Sequence, residues 1–125
     1  MKLSNVVAAN AVWRKLLQWR VKPALAYALL KYSRLLEAEF GIVETTRVAL
    51  IRELTHTKDG EEVTLQPDTT EFKEYVKRFS AILDVDSELK PSELKFDALL
   101  SALADDQTNI LSAVDLGVLE PFFAG

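Results

Sequence analysis

The chain has 125 residues, 49% of them hydrophobic and 27% charged, with only four glycines and four prolines, a composition that suits one globular domain and excludes a disordered or linker-rich protein. It contains no cysteine and a single histidine, which excludes disulfides, thiolate nucleophiles, Cys-ligated zinc and any zinc site needing two His ligands. The formal net charge of −4 is unevenly spread: the first 36 residues carry seven bases and no acid, and all nineteen acids lie beyond them.

At the start, MKLSNVVAANA imitates a secretory signal, but its apolar run of Val6 to Ala9 is shorter than a signal core, and Arg14 and Lys15 follow at once. No apolar stretch approaches the roughly 20 residues of a membrane span. The expectation is a soluble, untargeted chain with no membrane partner. Ser4 stands where an N-cap would, and Val6, Val7, Trp13, Leu16 and Leu17 recur at helical spacing, so a first helix is expected over 5–19.

Pro23 suits a first helical turn, and Leu25, Leu29, Tyr32, Leu36, Phe40, Val43, Leu50 and Leu54 continue from it at steps of three, four or seven. That predicts one long helix over 23–54, with Gly41 inside it at a cost of about 1 kcal/mol relative to Ala. Next, Asp59-Gly60 is a hairpin-turn pair, and Val63 and Leu65 alternate with polar neighbours, which predicts a small hairpin or ordered loop. Asp68 with Glu71 three residues later resembles a capping box, opening a helix over 69–83. Phe72, Tyr75, Val76, Phe79, Ile82 and Leu83 give this helix the cleanest amphipathic pattern in the chain.

After Leu83 the pattern allows two readings, an extended segment through Leu94, Phe96 and Ala98 or a short helix near 99–103; Pro91 disfavours one continuous helix. Ser112 with Asp115 resembles a second capping box and predicts a closing helix over 113–120, disturbed at Pro121. The fold class expected is mainly α: one helical domain over 1–125, antiparallel helices packed on one long helix, with a small β-hairpin or extended element. Leu29, Leu36, Val43, Leu50, Phe72, Val76 and Phe79 are the expected buried stripe.

The basic segment offers Arg14, Lys15, Arg20, Lys22, Lys31 and Arg34 as a candidate interaction face. With Trp13, Trp19, Tyr27 and Tyr32 interleaved, it has the residue types that bind phosphates and stack bases. The stronger reading places the aromatics in the core and matches the bases to acids of this chain, of a sister subunit or of another partner. The acidic remainder repels phosphates, so no binding to random-sequence nucleic acid is expected at physiological salt.

Asp84, Asp86 and Glu88 occupy the first, third and fifth positions of a calcium-loop pattern, but Leu89 and Lys95 stand where Gly and the bidentate Glu belong. Loop His56 has no motif around it. No Walker loop, G-x-G-x-x-G or G-x-S-x-G occurs, and Asp105-Asp106 and Glu61-Glu62 are sequence neighbours rather than carboxylates facing across a cleft. The expectation is a non-enzyme with no metal and no cofactor.

Taken in order, VKPALAYALLKYSRLLEAEF, RVALIREL, the KDGEE turn, TTEFKEYVKRFSAIL and the closing LSAVDLGVLEPFF resemble a phage and prophage family of unknown function over nearly the full chain. The closing S-x-x-D-L-x-x-L-E-P-F pattern is the most specific part. RELTHT and the insert SALADDQTN depart from the family pattern. The resemblance implies a tailed-phage origin, residence in the host cytoplasm or the virion, and no known catalytic residues. Two functions fit it: a small virion or assembly component, forming homo-oligomers or binding phage proteins, or an accessory inhibitor that binds a host defence or regulatory protein or sequesters a nucleotide signal.

Overall fold

The structure is a computed structural model of the chain and describes residues 1–56 and 65–124. Among them are five α-helices, α1 (Leu3–Leu16), α2 (Pro23–Thr55), α3 (Thr70–Leu83), α4 (Phe96–Asp105) and α5 (Ala113–Leu119), then a 3-10 turn over Glu120–Phe122. The fold is mainly α, as its periodicities imply, with helices packed on the long α2. The hairpin expected around Asp59-Gly60 lies outside the described residues.

α1 begins earlier than expected, and Ser4 is not its cap. The N-cap is Lys2, whose side chain makes no capping bond. Tertiary contacts hold this end instead: the Leu3 N–H donates to the Val85 carbonyl at 2.9 Å, the Ser87 N–H donates to the Met1 carbonyl at 2.7 Å, and Lys2 forms an isolated antiparallel bridge with Asp86. At the other end Gln18 and Trp19 donate to carbonyls three residues back, a tightening turn that ends the helix short of Trp19.

Pro23 sits in the first turn of α2, where its missing N–H costs nothing, and the helix runs 33 residues through Gly41 without a break. It stops where His56 adopts a left-handed φ of 56°. α3 is capped by Thr69, whose Oγ1 accepts from the Phe72 N–H at 3.1 Å; Asp68, the expected cap, has a left-handed φ of 68° and lies outside the helix. Of the two readings after Leu83 the helical one holds: the chain stays non-helical through Lys95 and α4 then takes in Phe96 and Ala98, which the extended reading had included, because Lys95 and not a residue near 99 opens the helix. The second capping box is present, with Ser112 and Asp115 each accepting from the other's backbone N–H.

The core gathers α1, the first half of α2, α4, α5 and the 3-10 turn. Trp13 is its centre, 1% exposed, with its indole N–H donating to the Leu29 carbonyl at 3.0 Å and its ring 5.0 Å from Tyr32 and 5.3 Å from Phe123. Leu29, Leu36, Val43 and Leu50 are buried as their spacing predicts. Three expected core residues are not. Phe72 and Phe79 are half-buried and Val76 is 46% exposed, because among the described residues α3 packs chiefly against α2, with a smaller contact to α1. Tyr27 departs from the aromatic-core expectation too, at 68% exposed.

Candidate interaction face

The structure divides the six basic candidates among three places. Arg14 and Lys15 lie in the last turn of α1, and Lys15 donates to Asp115 at 2.9 Å, joining the basic first segment to the acidic remainder. This hydrogen bond, with that from the Ser112 N–H, holds the Asp115 carboxyl below its ordinary range. Lys2 repeats the arrangement with Asp84 at 2.7 Å, a bond that raises its ammonium pKa. Part of the basic excess is therefore met by acids of the same chain.

Arg20 and Lys22 form a second group. They lie in the connection between α1 and α2 and line a groove of about 800 Å³ with Trp19, Leu25, Asp105 and Asp106. The Asp106 carboxyl is held below its usual value by the Thr108 hydroxyl and N–H, with Arg20 adding a weaker attraction. Lys31 and Arg34 form the third group, one turn apart on the outer side of α2. Arg14, Lys22, Lys31 and Arg34 are all exposed and make no ion pair with a described residue. Among the described residues, the groove beside Arg20 and Lys22 holds none of the other four candidate side chains.

Lys31 instead borders a groove of about 570 Å³ between α2 and the extended segment 89–94, with Tyr27 and Leu35 on the same wall and Lys90 and Glu93 opposite. Tyr32 closes its floor, donating its hydroxyl to the Lys90 carbonyl at 2.5 Å; burial pushes this phenol up to about 12. Asp84, the first residue of the calcium-loop pattern, is the partner of Lys2, and among the described residues no three His or carboxylate side chains form a metal-holding group.

No family model, curated protein or solved structure matches the chain. The surface itself therefore carries the functional argument. Its conspicuous feature is apolar. Tyr27, Leu30, Leu35 and Ile42 are exposed along α2, Ile42 at 63%, and α3 carries a row in which Tyr75 lies 6.2 Å from Phe72 and stacks at 5.5 Å on Phe79. Among the described residues no helix is long and apolar enough to cross a membrane. Periodicity flagged the α3 row as core; the outer row of α2 was hidden by the stronger core stripe on the same helix.

Proposed function

We propose that the chain is a non-enzymatic, phage-encoded protein-interaction module, a small component of the virion or of its assembly in the host cytoplasm. The observation that carries this reading is the double-sided α2: Leu29, Leu36 and Val43 are buried in the fold, while Leu35 and Ile42 stand 53% and 63% exposed on another face. Large apolar side chains repeated on a rigid helix are a surface for protein contact. α3 adds a half-buried aromatic row of its own, Phe72, Tyr75 and Phe79, and the resemblance to a phage family supports the setting. Mass spectrometry of purified phage particles and of assembly intermediates tests it. The chain is expected at a fixed copy number; its absence from both overturns this reading.

A second reading, sequestration of a nucleotide signal, draws support from the groove that places Tyr27 beside Lys31 and opposite Lys90. An aromatic face and two ammonium groups suit a base and its phosphates. Titration with nucleoside mono-, di- and cyclic dinucleotides by calorimetry tests it, and no heat of binding removes it.

A further inference from the structure

Two helix ends of opposite polarity open on the groove of about 800 Å³ that Arg20 and Lys22 line. One wall holds the start of α2, with Lys22 as its N-cap, Leu25 in its first turn and no acid there; the other holds the end of α4, where Asp105 is the last residue, Asp106 the C-cap and no base stands in the last turn. The macrodipole makes a helix start positive and a helix end negative. Each end therefore carries side chains of its own sign, bases at the start of α2 and acids at the end of α4. Both placements lower helix stability, and the reverse placement would raise it.

The charges do not cancel within the fold. Among the described residues, Arg20, Lys22, Asp105 and Asp106 form no ion pair. Asp106 accepts from the Thr108 hydroxyl at 2.6 Å and the Thr108 N–H at 2.8 Å, and Asp105 is exposed. Two positive and two negative groups thus occupy opposite walls of one groove. The walls keep their spacing because Asn109, itself 3% exposed, bonds the Arg20 backbone on one side and the Ala102 carbonyl on the other. Most of the remaining lining is apolar: half-buried Trp19, Val21 and Leu25 face Ala98 and Ala102.

We infer that this groove binds a small zwitterion, a molecule with an anionic group at one end, a cationic group at the other and an apolar body between them. The anionic end lies against Arg20 and Lys22 at the start of α2, the cationic end against Asp105 and Asp106 at the end of α4. Each end then meets both a counter-charge and a helix pole of opposite sign. The Trp19 indole offers the body a flat apolar face. The volume falls within the range of small-molecule sites, about 300–1,000 Å³. A purely anionic ligand is opposed by the two acids and a purely cationic one by the two bases, so the groove discriminates against ligands of a single sign. The inference is independent of the reading of the chain as a protein-interaction module.

Short apolar peptides carry this charge pattern at their free termini, and either charge is removed by capping. Calorimetric titration of the full chain with trileucine in four forms, free, N-acetylated, C-amidated and doubly capped, tests the inference. The free peptide is expected to bind, and either cap alone to weaken binding about tenfold. Lys22→Gln is expected to weaken the free and N-acetylated peptides and not the amidated one. Asp105→Asn is expected to weaken the free and amidated peptides and not the acetylated one. Both positions are exposed, and each substitution removes a charge of the wrong sign for its helix end, so neither is expected to lower the urea midpoint of the peptide-free protein. No binding of any form, equal affinity for the free and doubly capped peptides, or cap effects that persist unchanged in both variants overturns the inference. A lowered midpoint in either variant also overturns it, because the charge then serves the fold.

Discussion

The carboxamide of Asn109 grips the backbone of Arg20 from 89 residues away, accepting from its N–H at 3.0 Å and donating to its carbonyl at 3.1 Å. The same amide donates to the Ala102 carbonyl at 2.9 Å, and Asn109 is 3% exposed. One side chain thus ties the α1–α2 connection to α4 and fixes where Arg20 and Lys22 emerge. Because buried polar groups left without partners are costly, Asn109→Ala is expected to lose about 2–4 kcal/mol. Urea denaturation measures it, and a loss below about 0.5 kcal/mol contradicts the clamp.

Asp115 combines two duties, capping α5 and receiving Lys15. Its carboxyl pKa is depressed in the folded state, so its contribution to stability is complete above the unfolded value and fades as pH falls through the folded one. Asp115→Asn is expected to flatten part of the acid-side fall in urea midpoint. Ser112→Ala removes the other half of the capping box and is expected to cost about 1 kcal/mol at neutral pH. Lys15→Met, breaking a pair whose lysine is largely exposed, is expected to cost less than Ser112→Ala.

Tyr32 makes the opposite prediction on the alkaline side. Burial raises its phenol from 10.0 to about 12, so the stability it contributes is fully present below the unfolded value and is lost as pH rises through the folded one. Chemical denaturation between pH 9 and pH 12 is expected to show a declining midpoint, shallower in Tyr32→Phe. Equal slopes for the two proteins would contradict burial of the neutral phenol.

The two faces of the α2–α3 pair differ in depth. Leu36 is fully buried, and Leu36→Ala is expected to cost about 2–5 kcal/mol. Phe79 is half-buried, so Phe79→Ala is expected to cost about 1–2.5 kcal/mol, less than the removal of a fully enclosed ring. Thermal or urea midpoints of both variants check the order. A costlier Phe79→Ala would show that the aromatic row is covered in solution.

The sequence by itself determined the helices whose signals are local. Pro23 marked the start of α2, Ser112 and Asp115 marked α5, and the steps among Leu29, Leu36, Val43 and Leu50 identified the core side of the long helix. These depend on neighbours within a turn or two, which one chain displays without its fold. Capping at α1 and α3 was misread because several polar residues compete near each start and packing selects among them: Lys2 is held by the 85–87 segment, and Thr69 prevails over Asp68. Burial was legible only where a second layer exists. Amphipathicity shows that α3 has an apolar side, but whether that side is covered depends on how many elements reach it, and among the described residues α2 supplies most of the cover and α1 a little. The Asn109 clamp, the Lys15–Asp115 pair and the division of the basic residues were likewise decided by tertiary structure, since each joins residues far apart in sequence whose meeting only the packed helices bring about.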